Sequence, residues 1–295
     1  MKIGVIKEVQ PEKRVALTPA GVRSLKALQC DILVEKDAGA SAFYTDHQYG
    51  DAGAHILSRS EVLSGSDLLL MINPLPEKEM TNITPACIVA GCFNPFQNEA
   101  VVKKLQHTGI TSFSMELVPR TTRAQAMDIL SSMATIAGYK AVLEAASALP
   151  RFFPMFMSAA GTIKPARVLI LGAGVAGLQA IAVARKLGAV VEVFDVRAAV
   201  KEEVMSLGGK FIEVEGAKED SAAGGYAVEQ TEEFRKKQRE LIHQHAAKSD
   251  VIIATAQVPG KKAPILIRKE TVEAMNSGSV IIDLAASSGG NCECT

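Results

Sequence analysis

The run Arg167-Val168-Leu169-Ile170-Leu171-Gly172-Ala173-Gly174-Val175-Ala176-Gly177 decides how this chain of 295 residues is read. Its apolar first half has the length and composition of a buried strand, and the glycines then open a helical pattern over Val175–Leu187. Val190–Phe194 is the next strand, and Asp195 closes it eighteen residues beyond Gly177. A GxGxxG spacing alone is a weak signal. Here it follows a strand, opens a helix, lies inside a βαβ unit and is answered by an acid after the second strand. Gly172 permits the tight turn, Gly174 lets the backbone approach a pyrophosphate, and Gly177 lets helix and strand pack closely. Ala173, Val175 and Ala176 complete the turn, and the helix N-terminus supplies N–H groups and a positive dipole end for phosphates. Asp195, with Val196 and Arg197 behind it, lies where an adenosine ribose is held. A carboxylate there repels a 2′-phosphate, so the expected cofactor is NAD rather than NADP. Arg197 can soften that preference.

Beyond this unit, a helix over Ala199–Leu207, a strand over Lys210–Val214, a glycine-rich loop Ala222–Tyr226 and a charged helix to about Ala247 are expected. Strands Val251–Thr255 and Val280–Leu284 flank a last helix. Thr255 and Ala256, at the end of the first of these, join the expected cofactor site. On the N-terminal side, Pro150–Lys164 reads as a loop, and Arg123–Ala148 as a long connecting helix broken only by Gly138. Earlier still, strands over Lys2–Ile6, Asp31–Glu35, Asp67–Ile72, Cys87–Cys92 and Ile110–Ser114 alternate with helical patterns, one begun by Thr18-Pro19 and running to about Leu28. This β-α-β-α order predicts an α/β protein of two Rossmann-like domains, each a mostly parallel sheet with helices on both faces, over residues 1–130 and 131–295. The last residues, Gly289–Thr295, follow a strand that reads as central to its sheet, so the expectation is a truncated chain.

Hydrophobic residues make up 48% and charged residues 22%, enough apolar material for real cores. The formal net charge is zero, which gives no electrostatic argument for nucleic acid or a membrane surface. No run reaches the roughly eighteen apolar residues that span a bilayer. Cys30, Cys87, Cys92, Cys292 and Cys294 show no paired zinc-like spacing and read as reduced thiols, and the five histidines show no ligand spacing, so no metal is expected.

Lys2-Ile3-Gly4-Val5, Lys7-Glu8, Arg14-Val15-Ala16-Leu17-Thr18-Pro19 and Val258-Pro259-Gly260-Lys261-Lys262-Ala263-Pro264, together with the glycine turn, give a resemblance over essentially the whole chain. The chain resembles the family shared by alanine dehydrogenases and the NAD(H)-binding component (alpha subunit, domain I) of proton-translocating NAD(P) transhydrogenases. Pro119-Arg120-Thr121-Thr122-Arg123-Ala124-Gln125-Ala126-Met127-Asp128 with Ser131-Ser132 is similar to the transhydrogenase branch, as is Gly224-Gly225-Tyr226-Ala227 leading into Glu232-Glu233-Phe234-Arg235-Lys236-Lys237. Asn73 and Asn94 stand where alanine dehydrogenases carry a catalytic lysine and histidine. Reductive amination needs such acid/base groups, whereas hydride exchange between two nicotinamides moves no proton at the reacting carbons and needs only aligned rings in a dry site. The departures therefore favour the second chemistry.

On that resemblance, Arg120, Gln125, Asp128 and Ser131 lie at the nicotinamide end, the last three along one helix face. An ordinary polar helix face is the competing reading. Tyr226, hinged at Gly224-Gly225, closes over the cofactor, or belongs simply to a surface loop. Arg14 binds a substrate carboxylate in the dehydrogenases; here it either keeps that role or pairs with an acid of the first domain. The resemblance further implies direct hydride transfer to NADP(H) on a partner component, a membrane-spanning component that couples transfer to proton movement, a homodimer, and a place on the cytoplasmic face of the inner membrane. It also implies a C-terminal segment that completes the first domain in relatives. An alanine dehydrogenase, using Lys7 or His107 instead, and a catalytically silent NAD-binding scaffold are the alternatives.

Overall fold

Six short strands build the sheet of the first unit: β1 (Lys2–Val5), β2 (Asp31–Glu35), β3 (His55–Leu57), β4 (Leu68–Leu70), β5 (Ile88–Gly91) and β6 (Thr111–Ser114). In the computed structural model, which describes residues 1–119, 121–214, 231–257 and 260–295, they pair in parallel in the order β3-β2-β1-β4-β5-β6. Alternate side chains serve opposite faces. Ile3, Val5, Ile32 and Val34 pack with Val22 and Tyr49 on one side, while Leu33, Leu69 and Val89 pack with Val62 and Leu63 on the other. The helices are α1 (Pro19–Ala27), α2 (Asp46–Asp51), α3 (Arg59–Gly65), α4 (Glu77–Met80) and α5 (Glu99–Thr108). Thr18 caps α1 by accepting from the Gly21 N–H, with Pro19 in the first turn. Thr45 with Gln48 and Ser58 with Glu61 form capping boxes that start α2 and α3. Fully buried Tyr49 donates its hydroxyl to the Leu17 carbonyl at 2.7 Å, tying α2 to the chain before α1.

The units divide at Asp128/Ile129. The second opens with α6 (Ile129–Ala148) and an antiparallel hairpin, β7 (Phe156–Ser158) and β8 (Gly161–Ile163). Then follow β9 (Arg167–Leu171), α7 (Val175–Lys186), β10 (Val190–Phe194), α8 (Lys201–Ser206), β11 (Lys210–Ile212), α9 (Glu232–Ala246), β12 (Val251–Ala254), α10 (Lys269–Glu273) and β13 (Val280–Asp283). The parallel sheet runs β11-β10-β9-β12-β13. Val168, Ile170, Val191, Val193, Val251 and Ile253 face α6 and α7, and Leu169, Leu171, Phe194, Ile252 and Ala254 face the α9 side with Ile242 and Ala246. Each sheet is thus covered on both faces, the α/β architecture expected.

Four expectations need correction. The helix over Arg123–Ala148 is two pieces: Thr122–Met127 is a 3₁₀ turn, and Asp128 takes an extended conformation (ψ 91°) before α6 begins. Nor does Gly138 break α6. A Cβ there would lie 2.1 Å from the Ala176 carbonyl oxygen, so the residue admits the backbone of α7 rather than interrupting its own helix. The expected Pro150–Lys164 loop holds the β7–β8 hairpin, whose residues are all exposed. Finally, β13 reads as central from its apolar run, yet it lies at the sheet edge beside β12 and is only half-buried. The small strand β3 had no clear sequence signal. Among the described residues, no helix is long and apolar enough to cross a membrane.

Gly138→Ala therefore forces a methyl against a backbone carbonyl and should destabilise the second unit by about 1–3 kcal/mol. Urea unfolding followed by circular dichroism checks it, and an unchanged midpoint would contradict the close packing of α6 on α7.

Candidate functional site

Strands β9, β10 and β12 end side by side, and the strand order reverses between β9 and β12. This is the crevice where open α/β sheets bind ligands. The glycine turn occupies it. Gly172 has φ +104°, and its N–H donates to the Phe194 carbonyl at 2.8 Å. Thr255, just past β12, donates its hydroxyl to the Gly172 carbonyl at 3.0 Å and its N–H to Leu171 O at 2.8 Å. A Cβ on Gly177 would sit 1.9 Å from Gly172 O, so the first turn of α7 packs directly on the strand end. At Gly174, by contrast, a Cβ would meet nothing within 4 Å. Gly174 is also the N-cap of α7 and has no side chain with which to satisfy the helix's first N–H groups. Open space beside an uncapped helix start fits the diphosphate of a dinucleotide.

Asp195 stands across this turn. Its Oδ2 accepts from the Ala173 N–H at 2.7 Å, and Oδ1 accepts from the Arg197 N–H at 2.9 Å. The Arg197 guanidinium forks onto the same carboxylate, Nε to Oδ1 at 2.9 Å and Nη2 to Oδ2 at 2.8 Å. The Asp195 side chain is 6% exposed and that of Arg197 24%. The pairing holds the guanidinium's pKa above its ordinary value.

Two residues that sequence reasoning passed over organise the rest of this crevice. Asn291, fully buried, accepts the Ala256 N–H on Oδ1 at 3.0 Å and donates from Nδ2 to Ala256 O at 2.9 Å and Pro264 O at 2.8 Å. Asp283, the last residue of β13, accepts on Oδ2 from the N–H groups of Asn291 and Cys292 and from the Thr295 hydroxyl. Residues 291–295 therefore fold back onto the sheet, and Ile267 forms a bridge with Cys292. An asparagine in a glycine-rich stretch reads as loop chemistry. Only its burial shows it to be a clasp on the segment after β12.

The structure thus brings together Gly172, Ala173, Gly174, Val175, Ala176, Gly177, Asp195, Val196, Arg197, Thr255 and Ala256. It does not give Gln125, Asp128 and Ser131 a common helix face. Gln125 is exposed in the 3₁₀ turn, Asp128 is extended, and both belong to the first unit, while Ser131 lies in the first turn of α6 in the second. The sequence pattern reads as one helix because Thr122–Met127 carries helix-compatible residues, but the 3₁₀ turn ends before α6. Arg120 and Tyr226 with its Gly224-Gly225 hinge lie outside the described residues.

The first unit has its own order reversal, between β1 and β4. Glu8, 8% exposed, follows β1 and accepts from the N–H groups of Ile72 and Asn73 and from Asn73 Nδ2 at 3.3 Å. Arg14 forks onto Glu12, with Nε–Oε1 2.8 Å and Nη2–Oε2 2.6 Å, so it pairs with an acid of its own unit. Glu12 is held well below the usual carboxylate range, at about 2, first by the Arg14 hydrogen bond and with a smaller contribution from Asn73. Burial and the neighbouring Glu116 push the Cys92 thiol up, leaving it a poor nucleophile at neutral pH. Asn94 is left-handed (φ 48°), donates its N–H to Glu116 and its amide to Gln97 at 3.0 Å. Asn73 and Asn94 are amides, which neither take nor give protons near pH 7. Lys7 and His107 are exposed, and His107 Nδ1 lies 2.6 Å from Lys103 O on its own helix.

A parallel sheet with a glycine turn and an answering acid at its switch point defines a dinucleotide-binding protein of Rossmann type. Comparison with known proteins makes this particular. Residues 4–137 match the family described as Alanine dehydrogenase/PNT, N-terminal domain, and residues 141–295 match Alanine dehydrogenase/PNT, C-terminal domain. The chain is 49% identical to the first part of the NAD(P) transhydrogenase alpha subunit of Rhodospirillum rubrum, over 99% of its own length and 78% of that relative. The structure of a transhydrogenase from Sinorhizobium meliloti superposes with a TM-score of 0.88 at 40% identity, covering 99% of this chain and 81% of that one. That of an L-alanine dehydrogenase gives 0.82 at 27% identity, over 99% and 76%. The chain belongs to the alanine dehydrogenase/PNT family, and its similarity is greater to the transhydrogenase alpha subunits.

Two contrasts test the site. Gly174→Ala should leave unfolding unchanged and weaken dinucleotide binding, because the methyl enters only the open space. Asn291→Ala should cost about 1–3 kcal/mol of stability even without cofactor, since the buried Ala256 N–H and carbonyl lose their partners. Calorimetric unfolding with and without NADH separates the two, and equal effects would refute the assignment. In the first unit, a Glu12 pKa lowered from 4.5 to about 2 stabilises the folded chain above pH 4.5, and that contribution is lost as pH falls from 4.5 through about 2. The stability gap between wild type and Glu12→Gln should accordingly shrink over that window in acid-dependent urea titrations. A gap independent of pH would contradict the pairing.

Proposed function

We propose that this chain is the NAD(H)-binding component of a proton-translocating NAD(P) transhydrogenase. Hydride passes directly between NAD(H) held here and NADP(H) held on a partner component. The observation that carries this reading is the contrast between the two crevices. The second unit has an open, uncapped helix start and an answering carboxylate. The first, where an amino-acid dehydrogenase needs an acid/base pair, has Asn73 on Glu8, Asn94 on Gln97, and Arg14 committed to Glu12. Hydride leaves one dihydronicotinamide carbon with its electron pair and adds to the other ring, and no proton is exchanged at either carbon.

In this reading the Gly172–Gly177 turn binds the diphosphate through backbone N–H groups, and Asp195 takes the adenosine ribose. Arg120, Gln125, Asp128 and Ser131 position the nicotinamide and fix the face it presents, and Tyr226 closes over it. What the chain's own residues supply is orientation and exclusion of water, the whole of what this reaction asks. The name of the R. rubrum relative makes it one portion of an alpha subunit, which speaks for further components. We place the chain as a dimer on the cytoplasmic face of the inner membrane, beside an NADP(H)-binding and a membrane-spanning partner.

Two assays run side by side test this. One contains the chain with NADH, pyruvate and ammonium. The other contains the chain, an NAD⁺ analogue of shifted absorbance, and an NADP-binding transhydrogenase component loaded with NADPH. Reduction of the analogue in the second alone is the expected result. Oxidation of NADH in the first would overturn the proposal in favour of an amino-acid dehydrogenase, and silence in both with NADH still bound would favour a silent scaffold.

A further inference from the structure

A bare carboxylate at the end of β10 discriminates against a 2′-phosphate by charge, but Asp195 is not bare. Its two oxygens already accept four hydrogen bonds, from the N–H groups of Ala173 and Arg197 and from Nε and Nη2 of Arg197. Four is about the full acceptor capacity of a carboxylate. The pair is formally neutral and largely buried, so its selectivity has to arise from an exchange of donors rather than from simple repulsion.

That exchange is asymmetric. A ribose 2′-hydroxyl is itself a donor, and it can replace one guanidinium N–H on Asp195 without leaving the carboxylate short of partners. A 2′-phosphate at neutral pH is chiefly an acceptor. To be bound it must draw the guanidinium off Asp195, and it then faces the carboxylate whose charge it has uncovered. The charge of Glu203, in the first turn of α8, adds a smaller attraction for the guanidinium. We infer that Arg197 is a specificity-determining residue, held by Asp195 in the state that accepts a 2′-hydroxyl and able, once that hold is loosened, to ligate a 2′-phosphate. The inference rests on the NAD(H) reading above and deepens it.

The test is a binding cycle with NADH and NADPH on the full chain. Both probes carry the same fluorescent dihydronicotinamide, and the chain has no tryptophan to add background. Arg197→Gln should retain NADH affinity and weaken NADPH further, by about tenfold, because the carboxylate keeps its charge and loses its counter-ion. Asp195→Asn should move the NADPH-to-NADH affinity ratio towards NADPH by about tenfold, and Asp195→Asn/Arg197→Gln should lose that gain. If Arg197→Gln weakens both probes by one factor, Arg197 is only a structural brace and the inference is overturned. A gain that survives in the double variant overturns it as well. Thermal unfolding verifies that each variant is folded, and should Asp195→Asn be unfolded, the Arg197→Gln ratio decides alone. Wild-type chain that prefers NADPH would sink the NAD(H) reading while leaving the cycle interpretable; wild-type chain that binds neither would sink both.

Discussion

Backbone meets backbone twice around one turn of helix. The Gly177 position of α7 lies against the Gly172 carbonyl, and the Gly138 position of α6 lies against the Ala176 carbonyl, each at a separation no Cβ could occupy. These contacts seat α7 on the end of β9 and α6 on α7. The direction in which the first turn of α7 faces depends on them, as do the open space at Gly174 and the reach of Asp195 to the Ala173 N–H. Dense packing gives little room for adjustment, so the geometry of the site follows from two missing methyl groups.

The two units repeat one topological idea with different chemistry. Both sheets are parallel, both reverse their strand order next to the first strand, and both collect polar side chains at the carboxyl ends of the strands. In the second unit that crevice offers backbone N–H groups and one neutralised carboxylate, suited to an anionic dinucleotide. In the first, Glu8 is bonded to Asn73 and Glu12 to Arg14, while Glu116 accepts from Asn94 on one oxygen and keeps the other buried without a partner among the described residues. The Arg14 hydrogen bonds hold Glu12 ionised, and burial with the neighbouring charge of Glu116 keeps Cys92 protonated. A shared fold therefore does not imply a shared reaction, and the difference lies in a few side chains at equivalent strand ends.

Among the described residues, the buried polar side chains of the second unit are paired. Glu192, on an otherwise apolar strand, meets His245 at 2.8 Å with Arg167 and Lys210 beside it, linking the last turn of α9 to the sheet. Asn291 does the same for Ala256 and Pro264, and Asp283 for the segment after β13. Such groups are costly when unpartnered, so each specifies a single arrangement of the loops it ties.

Local pattern was enough for the α/β class, every strand of the two parallel sheets except β3, the glycine turn and the acid that answers it, because these depend on periodicity and on conformations that only certain residues adopt. At Asn73 and Asn94 it placed amides, which neither take nor give protons near pH 7. Whatever depends on neighbours remote in the chain had to wait for the folded molecule. Gly138 looked like a helix breaker until α7 was placed against it, and Asn291 looked like loop filler until Ala256 and Pro264 closed around it. The edge position of β13, the end of the 3₁₀ turn before α6, and the saturation of Asp195 by Arg197 were likewise invisible in one dimension. An apolar run does not record how many strands flank it, and a charged pair two residues apart does not record whether the two side chains turn toward each other. Burial and pairing are properties of the assembled chain.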